Sequence, residues 1–221
     1  MKRYNTEIWK YHKYNTSKYN FRELINEMLE TTDLENLHKS VESNEMFSLK
    51  TEQSTVYHKL FYDKVRGSKF LEVYEDFVKE ILKPILGEDK IIYQKIPTFR
   101  THFVDNIAVG KWHRDADYFH HTTERNIFMP ITDSFGTNTF WAESQVGKED
   151  FKPVNAEYGE YVIWDGANLL HGNKPNTENY TRVSFDFRIM KYSDYDAEER
   201  ASQQTMHAHV PMIIGEYYEV M

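Results

Sequence analysis

Cysteine is absent from the 221 residues. That absence excludes disulfide frameworks, thiolate metal sites, cysteine-bound iron–sulfur clusters and cysteine nucleophiles together, and it is compatible with a reducing compartment. Any metal bound by this chain is held by nitrogen and oxygen. Positive charge is also scarce: 27 Lys and Arg stand against 35 Asp and Glu, for a formal net charge of −8. Binding to phosphate backbones by bulk electrostatics needs a clustered excess of cations, so no nucleic-acid partner is expected. No run approaches the ~18 apolar residues of a membrane span. The opening MKRYNTEIWKYHKYN is polar and aromatic where a signal peptide would carry an apolar stretch. A cytoplasmic protein with no membrane partner is the expectation.

Aromatic residues are plentiful, with 16 Tyr and 14 Phe, which suits β-structure and pockets lined by rings. The length fits one domain, with a helical part at about 1–88, a β core at about 90–190 and a C-terminal helix and tail at 194–221. Residues 20–30 carry Leu24, Ile25, Met28 and Leu29 at helical spacing, and residues 69–83 carry Phe70, Leu71, Tyr74, Phe77, Val78, Ile81 and Leu82. Ser68 is placed to cap the second helix, and Pro84 with Gly87 to stop it. Residues 43–62 are polar and read as loop with a short helical turn near Tyr57.

From Lys90 the chain breaks into short runs rich in Ile, Val, Phe, Tyr and Thr, divided by Gly, Asp, Asn and Pro. Strands are expected at 91–95, 98–105, 110–115, 125–132, 138–142, 150–154, 160–164 and 181–189, with 168–171 as a short addition. Many short strands after helices imply an antiparallel sandwich or barrel with helices packed outside. Residues 194–209 read as helical and lead to the apolar tail VPMIIGEYYEVM, either a lid or a dimer contact.

In Gly-Lys-Trp-His-Arg-Asp, His113 and Asp115 stand two apart on an expected strand, so both side chains leave one face and can chelate one ion. A second imidazole, His171, lies far along the chain in Leu-Leu-His-Gly-Asn. Two imidazoles and one carboxylate on one face of a metal leave three positions open, an arrangement associated with non-haem iron(II) oxygenases. Taken alone, a His-x-Asp pair is more often a surface hydrogen-bonded pair. The strand Thr-Arg-Val-Ser-Phe-Asp-Phe-Arg then puts Arg182, Ser184, Asp186 and Arg188 on one face and Val183, Phe185 and Phe187 on the other. A polar face of this kind usually meets water. Here Arg182 with Ser184 can grip a carboxylate, the guanidinium by paired hydrogen bonds and the hydroxyl by a third.

The ordered set His-x-Asp, His, Arg-x-Ser resembles the 2-oxoglutarate/iron(II) dioxygenase superfamily. WHRD, HGN and TRVSFDFR look like the branch of streptomycin-biosynthesis oxygenase-like and phytanoyl-CoA-hydroxylase-like proteins, over about residues 91–190. The resemblance implies a mainly β fold, a double-stranded β-helix (jelly-roll, cupin-like barrel) braced by N-terminal helices. It implies Fe(II) on His113, Asp115 and His171, the distal carboxylate of the co-substrate 2-oxoglutarate on Arg182 and Ser184, and O2 as oxidant. The reaction it implies is hydroxylation of a small-molecule substrate, with desaturation or cyclisation left open. Halogenating relatives replace the metal carboxylate by a small residue, so Asp115 argues against that activity.

Three further residues complete the expected site. Asn126 is placed to reach the keto acid with its amide. Arg100 either points inward, to an anionic substrate or the near end of the keto acid, or forms a surface salt bridge. Trp141 is a pocket candidate, whereas Trp112, Trp164, His102, His120 and His121 read as packing or hydrogen-bonding residues. The alternative function is an isomerase-type or non-catalytic cupin-like metal barrel that holds a small acid or sugar. It gives Arg182 no task at the metal, and a dead barrel would be expected to have lost a ligand.

Overall fold

The computed structural model describes residues 9–42, 54–205 and 209–221. In chain order the strands are β1 (Lys10–Lys13), β2 (Ile91–Gln94), β3 (Thr98–His102), β4 (Arg125–Pro130), β5 (Phe140–Ala142), β6 (Lys152–Pro153), β7 (Glu160–Trp164), β8 (His171–Asn173), β9 (Arg182–Lys191) and β10 (Tyr218–Val220). The α-helices are α1 (Phe21–Leu29), α2 (Val56–Lys64), α3 (Lys69–Phe77), α4 (Lys83–Leu86) and α5 (Ala197–Arg200). Strands form two antiparallel sheets. The larger runs β1-β7-β4-β9-β2-β10, with β3 also paired to β9, and the smaller runs β6-β5-β8.

β9 organises the larger sheet because its ten residues serve two partners end to end. β2 pairs with its C-terminal part (Ile91 opposite Lys191) and β3 with its N-terminal part (His102 opposite Arg182). The period-2 alternation sends Val183, Phe185, Phe187 and Ile189 to one face, where α1 and α3 cover them. Phe21 and Phe70 meet the Phe185 ring edge-on at 5.1 and 5.3 Å, and Tyr74 meets Phe187 at 4.8 Å. The helices therefore brace one face of the sheet and leave the polar face of β9 turned towards the smaller sheet. A second apolar cluster, with Phe128, Phe140, Val162, Trp164 and Leu169, fills part of the space on that side.

The architecture is mainly β, in two antiparallel sheets with flanking helices, and the ladders among the described residues do not by themselves close a barrel. Other expectations are corrected. No strand spans 110–115. His113 makes a single bridge to His171, and Asp115–Tyr118 is a 3-10 turn, because the Asp117 carboxylate accepts the Arg114 amide at 3.0 Å and curls the chain. Helix α3 starts on the Ser68 cap, whose hydroxyl accepts the Leu71 amide, then passes through a π turn (Val78–Leu82) and α4. Pro84 does not end the helix, because it sits in the first turn of α4, where its missing N–H is not needed; the stop is Gly87, the C-cap in the left-handed conformation (φ 68°).

Around Tyr57 the expected short turn is the full helix α2, while 43–53 lie outside the described residues. The segment 194–209 holds only the short α5, with 206–208 outside the described residues. The C-terminal segment docks as β10, an edge strand on β2, with Met212 and Tyr218 buried against Ile92 and Met190. β1, which sequence patterning did not signal, pairs with β7. Among the described residues no helix is long and apolar enough to cross a membrane.

Candidate metal centre

β8 and the 113–118 turn meet through reciprocal backbone hydrogen bonds between His113 and His171, at 2.9 and 3.0 Å. This single bridge sets the two imidazoles side by side, with ring centroids 4.5 Å apart. Each Nδ1 faces a backbone carbonyl two residues upstream: Lys111 O at 2.8 Å for His113 and Leu169 O at 2.9 Å for His171. A carbonyl only accepts, so Nδ1 carries the proton and Nε2 is left with a free lone pair. Both Nε2 atoms point at Asp115 Oδ1, from 3.4 and 3.5 Å. The three donor atoms lie within 4.8 Å of one another. Donors about 2.1 Å from a shared ion stand roughly 3.0–3.4 Å apart, so this cluster closes on a metal with little movement.

Charge supports the same state. Burial alone would raise the Asp115 carboxyl, but the charge of the Arg188 guanidinium, first among the opposing influences, outweighs it and holds the group well below the usual carboxylate range. Burial pushes His171 down to about 4, against the pull of Asp115. A carboxylate and neutral imidazoles are the forms that bind metal.

The polar face of β9 lines the same hollow, about 490 Å³ including its open mouth. Arg182 is 1% exposed. Its Nε donates to Asn138 O at 3.0 Å and one Nη to Ser184 Oγ at 2.6 Å. Among the described residues no carboxylate pairs with it. Burial and the nearby Arg100 push its guanidinium down to about 9. Arg100, by contrast, is committed: it pairs inside the hollow with the Asp186 carboxylate, its Nη2 at 3.3 Å, and so is not a surface salt bridge.

Two expected residues are placed differently. The amide nitrogen of Asn126 donates to Asp115 Oδ2 at 2.7 Å, so it is engaged by that carboxylate, although the side chain does line the hollow. Trp141 does not line it. On β5 the pleat turns Phe140 inward and Trp141 outward, where its indole nitrogen donates to Gly136 O and Lys174 covers its ring. Trp164, read as packing alone, lies 4.7 Å edge-on from the His171 ring and lines the hollow. The role of Arg188 was missed. Its position on the polar face was visible in the alternation, but its target was not.

Behind β3, His58 is buried. Its Nδ1 meets Thr55 Oγ1 at 2.8 Å, and among the described residues its Nε2 has no partner. Burial, with Arg100 and Arg182 adding, lowers it from 6.5 to about 3. The unfolded chain therefore binds this proton more readily. The contribution of His58 to stability is full above about pH 6.5 and is lost as the pH falls towards 3, at about 1.4 kcal/mol per pH unit. In urea unfolding at pH 7 and pH 5, His58→Leu is expected to lose about 2 kcal/mol less than the unsubstituted protein.

No family model matches the chain. It is 36% identical over 211 residues to the streptomycin biosynthesis protein StrG of Streptomyces griseus, covering 95% of this chain and 96% of that protein. Among solved structures it resembles a nickel complex of the non-haem monooxygenase ThoJ, at 14% identity over 81% of this chain and 71% of that one (TM-score 0.47). It also resembles EctD from S. alaskensis with bound Fe, at 12% identity over 84% and 73% (TM-score 0.44). AviO1 from Streptomyces viridochromogenes Tue57 is similar at 15% identity over 88% and 94% (TM-score 0.45). At these identities and scores the solved structures carry no activity across to this chain.

Proposed function

The chain belongs to the family of StrG, and from that premise we propose that it is a cytoplasmic, single-domain, non-haem iron(II) and 2-oxoglutarate dependent oxygenase that hydroxylates a small molecule. The observation that carries the proposal is the shared hollow. Three metal-type donors converge on it, and a buried guanidinium without a carboxylate partner among the described residues stands in the same space. An unpaired buried cation is costly, so a site that keeps one is built for an anion that arrives from outside. The name of the relative, a streptomycin biosynthesis protein, supports a small-molecule substrate.

In this proposal His113 and His171 hold Fe(II) through Nε2 and Asp115 holds it through Oδ1. Arg182 and Ser184 take the distal carboxylate of 2-oxoglutarate, a pairing that relieves the lone guanidinium. When bound, the iron, keto acid and O2 together supply the oxidant that attacks a substrate C–H bond. The protein's task is then to position and to exclude water. Phe128, Phe140 and Trp164 wall the hollow with apolar surface. The Arg100–Asp186 pair neutralises itself, so it does not compete with Arg182 for the keto acid. We read the two facing sheets as the halves of a double-stranded β-helix around this site.

The test is succinate release by purified protein given Fe(II), 2-oxoglutarate and air. Slow iron-dependent release is expected without substrate, stimulated when amino acids and carbohydrate intermediates are screened and the substrate is met. Asp115→Ala should abolish it. Succinate formed equally without iron, or never formed, would count against the proposal.

A further inference from the structure

The two oxygens of the Asp115 carboxylate have different surroundings. Oδ1 faces the two unprotonated imidazole nitrogens and receives no hydrogen-bond donor among the described residues. Oδ2 receives three: Asn126 Nδ2 at 2.7 Å, Arg188 Nη2 at 2.8 Å and Arg188 Nε at 3.1 Å. A carboxylate oxygen offers about two lone-pair directions, so three donors saturate it.

The guanidinium is itself held. The remaining arm of Arg188, Nη1, donates to Gln94 Oε1 at 3.1 Å and to the Tyr217 hydroxyl oxygen at 3.4 Å. Gln94 is fixed in turn, its amide nitrogen donating to Ile96 O at 2.7 Å and Thr98 Oγ1 at 3.1 Å. Tyr217 immediately precedes β10, and β10 places Tyr218 opposite Gln94 on β2. The C-terminal segment thus reaches the metal carboxylate through one guanidinium. On the other side, Gly166 leaves room for the Asn126 amide: a Cβ there would stand 2.6 to 2.7 Å from its side-chain atoms. The Gly166 carbonyl also accepts the Asp115 amide at 3.0 Å.

We infer that Arg188 and Asn126 are positioning residues that occupy Asp115 Oδ2, so that the carboxylate meets a metal through Oδ1 alone, and that Tyr217 of the C-terminal segment belongs to this support. One-oxygen binding matters because a carboxylate that swung to offer both oxygens would take a fourth position on the ion. Only two would then remain, too few for a two-point keto acid plus O2. This inference rests on the proposed metal role of the triad.

The probe is Co(II) alone, titrated under nitrogen, with affinity and the visible d–d spectrum read together and folding checked by circular dichroism. Unsubstituted protein should bind one equivalent. Arg188→Gln, which keeps polar atoms but cannot give the bidentate pair, should weaken binding roughly 10- to 100-fold, as loss of a supporting partner does. The spectrum of its saturated form should change as the second oxygen joins the metal. Arg188→Lys should restore part of the affinity. Tyr217→Phe leaves the buried ion pair intact and should fold, with an affinity loss in the same direction but smaller.

Folded Arg188→Gln and Tyr217→Phe with unchanged affinity and spectrum would overturn the inference while leaving the metal site standing. If Arg188→Gln does not fold, Tyr217→Phe and Asn126→Ala decide on the same two readouts. No Co(II) bound by the unsubstituted protein would overturn this inference and the proposed function together.

Discussion

Arg182→Met is expected to weaken 2-oxoglutarate binding by about two to three orders of magnitude, the roughly 3–4 kcal/mol lost when one partner of a buried charge pair is truncated. Metal affinity should stay unchanged, because Arg182 donates to Ser184 and Asn138 and touches none of the three ligands. Stability separates this from a general packing defect. In the ligand-free protein no carboxylate among the described residues pairs with the buried guanidinium, and burial beside Arg100 pushes it down to about 9. Replacing it with an apolar side chain of similar length should leave the ligand-free melting temperature unchanged or raise it. Added keto acid should then stabilise the metal-loaded unsubstituted protein but not the variant. Titration calorimetry with Mn(II)-loaded protein reads the affinity, and thermal melts read the stability. Equal loss of metal and keto acid would point to a disturbed fold instead.

The second large effect is expected at His171. His171→Ala should lower Fe(II) affinity by more than the roughly 10- to 100-fold typical of losing a residue that merely supports a ligand. Its backbone bridge to His113 does not depend on the side chain, so the turn that carries His113 and Asp115 should remain in place. The variant should therefore keep its circular dichroism spectrum and lose its metal. The ring also packs edge-on against Trp164, so a fall in melting temperature is expected from the cavity left beside that indole. Affinity retained within a few-fold would remove His171 from the metal site.

The sequence carried the chemistry of the site further than its geometry. Residue types and their order were enough to bring His113, Asp115, His171 and Arg182 forward, and these four do border one hollow. The route was misread at 110–115. A spacing of two was taken for the parity of a strand, whereas one bridge and a 3-10 turn held by Asp117 bring the side chains together. Parity misled at Trp141 as well, because alternation says that neighbours part but not which of them faces inward. Register decides that, and it sets Phe140 towards the larger sheet, against Phe128 and Trp164. On β9 the alternation was legible in full, yet a polar face reads the same whether it meets water or a cavity. What Arg188 binds depends on strands far apart in the chain, and so does the docking of Tyr217. Such contacts leave no local pattern.

Anaerobic addition of Fe(II) and 2-oxoglutarate to the purified protein tests the central claim most directly. A visible absorption band from the metal-bound keto acid should appear only when both are present, be lost in His113→Ala, and require far more keto acid in Arg182→Met. A protein that binds Fe(II) yet shows no band at saturating 2-oxoglutarate, or whose band survives in His113→Ala, would contradict it.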